Sequence, residues 1–346
     1  MNNIIDGLIG YSKDQWQELM ELLDEKSFRS GQLKEWIFEK GVDDFSNMTN
    51  ISETLKNKLE NYPILLGQVV FEAISKDGTY KLLVRYDDGQ QVECVMIPTA
   101  SRITYCISSQ VGCAMGCRFC ATGKLGIKRN LTAGEILSQV FLLKKITGQL
   151  PNNIVYMGMG EPFMNYDNVI QSARIMNDPA GFGIGARKIT ISTVGVPHVI
   201  KQYADEAEQF HLAISLHASN DAVRDSIVPV NDNWQMSKII EAARYFNQKT
   251  NRIVTFEYVL LAGVNDLKEH AQELRKLIDF PAKLNLIPFN DHKDSEFKAP
   301  TSSRVQFFKN SLEKLGLVAT IRSSRGQDIA AACGQLAKEK IGGLNS

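Results

Sequence analysis

The 346-residue sequence contains no hydrophobic run long enough to cross a membrane. No stretch approaches the roughly 18 consecutive apolar residues that a transmembrane helix requires. The sequence also has no excess charge, since 39 Lys and Arg balance 39 Asp and Glu, which excludes a globally basic nucleic-acid coat and an acidic disordered tail. The first residues carry an acidic side chain where a signal peptide needs a basic region, so we expect a cytoplasmic protein.

A disulfide framework is not expected either, although the chain has six cysteines. A chain of this length can bury a large core, and the cytoplasm is reducing. Four of the cysteines lie close together between positions 106 and 120. This spacing favours chemistry over structural cross-links.

Three segments of different pattern are followed by a short tail. Residues 1–66 have the apolar spacing of helices, with Ser30 as a predicted N-cap and Gly41 as a predicted helix end. Residues 67–98 alternate as in a β-hairpin whose turn is Asp88-Gly89. The remaining segments are an α/β region at 99–333 and a tail at 334–346.

The α/β region alternates seven short apolar strands with amphipathic helices and contains no internal repeat. Such alternation predicts a parallel sheet with crossover helices. The strands end in polar or glycine-rich tips, which gather on one face of an α/β barrel, where active sites form. The region therefore predicts a barrel-like domain that carries the chemistry.

The sharpest motif is a CxxxCxxC loop formed by Cys113, Cys117 and Cys120, just after the first predicted barrel strand. Zinc ribbons normally pair two knuckles to reach four ligands, but no second knuckle follows and the five histidines are scattered. Three thiolates suit a [4Fe–4S] cluster with one iron left open to a substrate or cofactor. A structural zinc site or three buried thiols remain as alternatives.

Eight segments, in order, resemble the RlmN/Cfr family of radical S-adenosylmethionine (SAM) RNA adenosine methyltransferases. They span almost the whole chain: FRSGQLKEWIFEKGVDDFSNMTN, QVECVMIP, CISSQVGCAMGCRFCATG, MGMGEPFMN, ISTVGV, AISLHASND, LNLIPFN and RGQDIAAACGQL. The resemblance implies a partial (β/α)6-type barrel with a radical SAM core, a [4Fe–4S] cluster and two SAM molecules per turnover. In this family the cluster cleaves SAM to a radical, and the protein holds the cofactor and directs the radical.

The resemblance also gives Cys333 and Cys106 roles that their surroundings in the sequence do not suggest. A lone cysteine in an apolar run is usually a small buried hydrophobe. By the family match, Cys333 is the cysteine that SAM methylates and that carries the methylene to C2 of adenine. Cys106 matches the partner that closes a disulfide with Cys333 and releases the product. Both roles need accessible, reactive thiols.

Glu93 matches the family's proton acceptor, although a Glu on an alternating strand more often faces solvent. Cys106 is a competing candidate for that proton. Cys94 is expected in the core. The SAM-binding residues carried over from the family are Gly160, Glu161, Ser192, Ser215, Leu216, His217 and Asn290. Glycine would let the backbone approach SAM closely, and the Glu161 carboxylate would accept a hydrogen bond from the SAM amino group.

The partners that the resemblance implies are 23S rRNA, at the peptidyl-transferase centre, and a tRNA anticodon-loop adenosine. A reductant such as flavodoxin and a monomeric state are also expected. Seven basic residues are predicted to flank the barrel-top loops: Lys124, Lys128, Arg129, Arg187, Lys188, Arg322 and Arg325. Their side chains either contact RNA phosphates or are simply solvated loop charges, and the sequence leaves both alternatives open. Arg29, Lys34 and Trp36 are expected to grip an RNA stem or to belong to a scaffold.

Three other functions compete with the C2-methyltransferase. A C8-methylating resistance enzyme of the same family is disfavoured by Glu161-Pro162, because Ala is expected after that Glu in the resistance enzyme. A different radical SAM enzyme would keep the cluster but leave Cys106 and Cys333 without a role. A metal-stabilised RNA-binding protein would hold zinc and bind no SAM.

Overall fold

The N-terminal helices pack their apolar faces into one core. The computed structural model describes residues 6–291 and 295–336, so the predicted tail lies outside it beyond Leu336. The first three helices are α1 (Lys13–Leu22), α2 (Phe28–Lys34) and α3 (Glu53–Lys58), and α2 continues as a π-helical turn over Glu35–Glu39. The predicted helical character is confirmed, and Leu33, Ile37, Leu55 and Leu59 are fully buried.

The predicted cap of α2 is wrong. Ser30 lies inside the helix, where its hydroxyl donates to the Ser27 carbonyl instead of accepting from the first turn. A Ser hydroxyl in a helix readily bonds back to a carbonyl three residues earlier, so the residue type alone did not fix the boundary. Gly41, at φ +67°, follows the end of the helical segment, as expected.

Three antiparallel strands stand where the sequence predicted a two-stranded hairpin. They are β1 (Gln68–Ile74), β2 (Tyr80–Arg85) and β3 (Gln91–Pro98), and Asp88-Gly89 lies in the turn between β2 and β3. β1 was missed because it is mostly exposed on both faces and shows little apolar alternation. β3 also pairs with the first barrel strand, so these strands and the barrel share one ten-stranded sheet.

Seven parallel strands confirm the predicted partial barrel and the seven strands expected from the pattern, so β12 adds one strand to the (β/α)6-type core that the resemblance implied. They are β4 (Ile103–Cys106), β7 (Asn153–Tyr156), β8 (Ile189–Thr193), β9 (His211–Ser215), β10 (Val254–Leu260), β11 (Ala282–Pro288) and β12 (Val318–Ile321). The sheet is strongly curved, because Arg322, just after β12, reaches the Met157 sulfur after β7 at 3.2 Å.

The strands are nearly continuous apolar runs because helices cover the outside of the sheet. The helices are α4 (Ala133–Thr147), α5 (Tyr166–Asn177), α6 (Pro197–Asp205), α7 (Asp221–Ile227), α8 (Met236–Thr250), α9 (Lys268–Leu277) and α10 (Ser302–Lys314). α4 begins with a Thr132–Glu135 capping box and ends at Gly148 in the left-handed conformation. In the described ranges, no helix combines the length and apolarity that a membrane crossing needs.

A small hairpin brackets the cysteine loop and was not predicted. Its strands are β5 (Gln110–Cys113) and β6 (Gly126–Asn130), paired antiparallel. Gly112 has φ +77°, and a Cβ there would lie 1.9 Å from the Gly126 carbonyl oxygen, so only glycine permits this approach. The hairpin fixes both ends of the loop.

Candidate active site

One cavity lies at the carboxyl ends of the parallel strands. It contains about 980 Å³ of space free of protein atoms, part of it open to solvent, which is the size of a small-molecule or cofactor site. Nine of the predicted site residues line it: Cys113, Cys117, Cys120, Gly160, Glu161, Ser192, Ser215, His217 and Cys333. The four others, which are not among the residues that line this cavity, are Glu93, Cys106, Leu216 and Asn290.

The cysteine loop is held by backbone hydrogen bonds to two other parts of the chain. The Arg118 N–H donates to the Ile227 carbonyl at the end of α7, at 3.0 Å, and the Ala121 N–H donates to the Gly334 carbonyl at 2.8 Å. Burial raises the pKa of Cys113 to about 12 and the pKa of Cys117 well above its usual value. Without an added cation, these thiols are protonated at neutral pH.

The donor set of the loop fits an iron–sulfur cluster. Nowhere in the part of the chain that the structure describes do three His, Cys, Asp or Glu side chains converge so that they could hold a metal ion. A [4Fe–4S] cluster does not need three side chains to converge on one metal ion, because each thiolate binds a different iron. Thiols from Cys113, Cys117 and Cys120 line one cavity and offer three such ligands.

Glu161 follows β7 and is buried at 3% exposure. One carboxylate oxygen accepts from the Phe163 N–H at 2.9 Å and the other from the Val194 N–H at 2.7 Å. Burial raises the pKa of this carboxyl to about 7, and the two backbone donors oppose the rise. Glu161 therefore ties the ends of β7 and β8 together while it faces the cavity.

Gly160 is required by the packing of the protein itself. It has φ +105°, and a Cβ at this position would meet the Gln110 backbone nitrogen at 2.7 Å. From the sequence, this glycine was expected to admit backbone close to a ligand. The structure adds a second reason for glycine, since the turn after β7 packs directly on β5.

His217 is a neutral imidazole in a strained backbone position. Its φ is +60°, and its Nδ1 accepts from the Val259 N–H at 3.1 Å. Burial lowers the pKa of the ring to about 3. The ring packs edge-on against Phe119, a residue of the cysteine loop, with centroids 4.8 Å apart.

The hydroxyls of Ser192 and Ser215, on the neighbouring strands β8 and β9, lie 3.5 Å apart.

Cys333 is exposed and lines the cavity. Its carbonyl accepts from the Asn290 side-chain amide at 3.0 Å, and the Asn290 oxygen accepts from Gln327 at 2.7 Å. The Asn290 amide thus holds the Cys333 loop from behind. The loop is also held from the cysteine side, where the Thr122 hydroxyl donates to the Leu336 carbonyl.

Cys106 ends β4 and is buried, contrary to the expectation of an accessible thiol. It lies under Met157, whose backbone N–H donates to its thiol. Burial raises the pKa of Cys106 to about 12, and the Arg322 guanidinium opposes this rise for both Cys106 and Cys333. One arginine therefore acts electrostatically on both thiols.

Glu93 is buried at 4% exposure rather than facing solvent. Its carboxylate pairs with Lys81 at 2.9 Å, and the Lys81 ammonium also donates to the Ala330 carbonyl at 3.2 Å, three residues before Cys333. The pattern of β3 suggested one exposed face, but β3 lies inside the sheet and both of its faces are covered. Cys94 is fully buried, as expected.

Several cavity residues were missed from the sequence. Glu257 is buried in β10, where burial raises the pKa of its carboxyl and Asn285 donates to it at 2.8 Å. A lone Glu within the apolar strand VTFEYVL was the available signal. Met157 carried no signal, because its position depends on contacts between distant segments.

The predicted placement of the seven basic residues is wrong for two of them, Arg187 and Lys188. Arg322 is half-buried beside the two thiols, and Arg129 pairs with Glu135 and Asp88 at 2.7 and 2.6 Å. Arg187 and Lys188 precede β8 and so lie at the opposite end of the barrel. Charge in the sequence could not show which basic residues already have an acidic neighbour.

The comparison with known proteins agrees with this geometry. Residues 107–278 match the radical SAM superfamily, and residues 7–64 match the ribosomal RNA large subunit methyltransferase N-terminal domain. A protein of Synechococcus sp. (strain CC9311), named probable dual-specificity RNA methyltransferase RlmN, is 41% identical over 97% of this chain and 99% of its own. The chain belongs to the RlmN family of radical SAM RNA methyltransferases.

Two further proteins support membership of the RlmN family. The dual-specificity RNA methyltransferase RlmN of Pseudomonas fluorescens (strain SBW25) is 42% identical over 95% of this chain and 89% of its own. A crystal structure of a radical SAM methyltransferase from Sphaerobacter thermophilus superposes with a TM-score of 0.93 at 40% identity, covering 96% of this chain and all of the other. Membership confirms the resemblance found in the sequence, and the radical SAM family implies a [4Fe–4S] cluster and SAM.

Proposed function

We propose that this RlmN-family protein methylates C2 of adenosine in 23S rRNA and in a tRNA anticodon loop. The reaction proceeds by ping-pong transfer through S-methylated Cys333, consumes two SAM molecules and passes through a Cys106–Cys333 disulfide. The names of the two relatives, which describe dual-specificity RNA methyltransferases, support two RNA substrates. The match of residues 7–64 to a ribosomal RNA methyltransferase domain supports rRNA as one of them.

The observation that carries the proposal is the neighbourhood of Cys333. This exposed thiol lines the same cavity as the three cysteines of the loop, and Arg322 acts on both Cys333 and Cys106. A guanidinium favours thiolate over thiol, and the thiolate is the form that takes up a methyl group or closes a disulfide. A cysteine with only a packing role would not need this neighbour.

The cavity residues are proposed to hold the cofactors. Cys113, Cys117 and Cys120 bind the cluster, which when bound supplies the electron that cleaves SAM. Glu161, Ser192 and Ser215 offer acceptors and hydroxyls to the polar groups of SAM, and the neutral His217 ring offers an uncharged face. Leu216 contributes through its backbone, Gly160 lines the site, and Asn290 holds the Cys333 loop.

Glu93 is proposed as the proton acceptor for the C2 hydrogen. Its strand is adjacent to that of Cys106, since Val95 pairs with Cys106, and Lys81 holds its carboxylate. Cys106 is the competing acceptor. An RNA base entering the cavity passes Lys124 and Lys128, which are exposed beside the cysteine loop and are proposed to contact phosphates.

The remaining proposals concern the setting of the reaction. We place the protein in the cytoplasm as a monomer, with a flavodoxin-type reductant. The segments 1–66, 67–98, 99–333 and 334–346 are proposed as RNA-binding module, linking strands, catalytic barrel and tail.

The test is mass spectrometry of nucleosides after reaction with in vitro transcribed 23S rRNA or tRNA. The protein is reconstituted anaerobically with iron and sulfide and supplied with SAM and a reductant. We expect 2-methyladenosine from the wild type and from the control Cys94→Ala, and none from Cys333→Ala. Appearance of 8-methyladenosine would assign the protein to the C8 branch. Absence of any methylated base, despite SAM cleavage, would falsify the RNA assignment.

A further inference from the structure

Arg224, on α7, has a fully buried side chain with 0% exposure. All five N–H donors of a guanidinium have hydrogen-bond acceptors here, and every acceptor is a neutral oxygen. They are the carbonyls of Val194 (2.6 Å), Leu216 (3.2 Å), Trp234 (3.2 Å) and Ser215 (3.4 Å), and the side-chain oxygen of Asn231 (2.8 Å). The side chain thus joins the ends of β8 and β9 to α7 and the turn after it.

The positive charge of Arg224 has no carboxylate in direct contact among residues 6–291 and 295–336. The nearest acidic groups, Asp221 and Asp225, are reached only through Asn231, whose amide donates to them at 2.9 and 2.6 Å. Both aspartates are exposed. Burying an arginine without an anion is costly, because carbonyl dipoles replace the hydration of a full charge only in part. The fold therefore holds a buried cation whose anion is missing from its hydrogen-bonding shell.

The cysteine loop is hydrogen-bonded to the helix that carries this arginine. The Arg118 N–H, next to Cys117, donates to the Ile227 carbonyl on the same helix as Arg224. As a thiolate bound to a cluster, Cys117 would favour the charged form of the guanidinium and raise the pKa of Arg224, as Asp221 and Asp225 do. Burial lowers the pKa of Arg224 to about 10, so the side chain remains a cation at neutral pH.

We propose that Arg224 is a positioning residue with two linked roles: it supplies the positive charge that balances the thiolate-ligated cluster, and it holds the ends of β8 and β9 in the shape that binds SAM. A cluster with three thiolates is anionic and becomes more so on reduction. A fixed buried cation nearby stabilises the reduced form, since net charge and surroundings set the potential of such clusters. This inference rests on the proposed function.

Two substitutions separate the roles. Arg224→Gln removes the charge and most of the hydrogen bonds, whereas Arg224→Lys keeps the charge but loses the planar fork that reaches several carbonyls at once. Arg244→Gln, in an exposed ion pair with Asp279 on the outer surface, is the matched control. The measurements are the midpoint potential of the cluster, by an EPR-monitored redox titration, and the dissociation constant of SAM on the reconstituted protein.

We expect Arg224→Lys to keep the potential of the wild type and to weaken SAM binding at least fivefold. Arg224→Gln should weaken SAM binding similarly and shift the potential to more negative values. The control should change neither quantity. An unchanged potential in Arg224→Gln would overturn the electrostatic role, and unchanged SAM affinity in both variants would overturn the positioning role.

A third variant keeps the test decisive if Arg224→Gln does not fold. Asn231→Asp, combined with Asp221→Asn and Asp225→Asn, places a carboxylate directly on the guanidinium and leaves the arginine and its carbonyl partners in place. The midpoint potential of the cluster in this triple variant should be more negative than in the double variant Asp221→Asn/Asp225→Asn. Equal potentials in the two variants would reject the electrostatic role. Wild-type protein that binds neither cluster nor SAM would instead refute the proposed function, so the two failures are distinguishable.

Discussion

Two ion pairs of almost equal length have very different surroundings. Lys81 and Glu93 are 2.9 Å apart, with side chains only 3% and 5% exposed. Lys145 and Asp43, which join α4 to the N-terminal module, are 2.7 Å apart, with side chains 51% and 32% exposed. Water and salt screen the outer pair, whereas removal of one inner partner leaves a charge in a poorly polarisable interior.

The same contrast holds for arginines. Outer arginines such as Arg174 and Arg244 contact carboxylates on neighbouring elements. Arg224 is fully buried and Arg322 is half-buried, and their electrostatic partners include the thiols of the candidate active site. The buried charges of these arginines therefore lie at the carboxyl ends of the strands. There the proposed reaction uses fixed charge, even though burying a charge lowers the stability of the fold.

The largest effect is expected at the inner pair. Lys81→Met should lower the free energy of unfolding by about 3–5 kcal/mol, because Glu93 loses its buried cation. Urea denaturation of the reconstituted protein measures this loss. The double variant Lys81→Met/Glu93→Gln should recover much of it, and a single-variant cost below about 1 kcal/mol would show that water reaches the pair.

The second effect concerns reactivity. Arg322→Leu should slow alkylation of Cys333 by iodoacetamide at pH 8, because burial raises the pKa of this thiol and the guanidinium opposes the rise. The rate should fall about tenfold for each pKa unit by which the substitution raises the pKa further. Peptide mass spectrometry gives the rate for each cysteine. Arg325→Leu is the matched control, because Arg325 donates to the Asp77 carbonyl, at 3.5 Å. Equal rates for Arg322→Leu and wild type would contradict the role of Arg322.

The third effect is a pH dependence from Glu161, whose pKa is raised to about 7 from 4.5. Between these values the folded protein binds a proton that the unfolded chain has released, so stability falls as pH rises. The contribution approaches about 1.4 kcal/mol per pH unit between pH 5 and 7. Urea titrations across this range should show a steeper decline for wild type than for Glu161→Gln. Parallel curves would mean that the Glu161 carboxyl is ionised throughout.

The smallest effect is expected at the outer pair. Lys145→Met should change the free energy of unfolding by less than about 1 kcal/mol, and the change should shrink further in high salt. Urea denaturation at low and high ionic strength tests both statements. A cost comparable to that of Lys81→Met would remove the distinction between the two regions.

Local patterns predicted most of the architecture. The seven parallel strands and the helices between them could be identified because their apolar periodicity is local. β1 was missed, since it is mostly exposed, and the β5–β6 hairpin was missed, since it depends on the close approach of Gly112 and Gly126. Ser30 shows a further limit, because its hydroxyl could accept from a backbone N–H as a helix cap or donate to the Ser27 carbonyl inside the helix, and it does the latter.

The sequence by itself determined the family, the partial barrel and the cysteine loop, because these depend on residue order and short spacings. Only the tertiary structure decided that Glu93 is buried on Lys81, that Arg322 faces two thiols and that Arg224 has no carboxylate in its hydrogen-bonding shell within the described residues. Burial and charge pairing depend on contacts between residues far apart in the chain. A sequence pattern shows which side chains are charged, but which charged side chains contact each other depends on the fold.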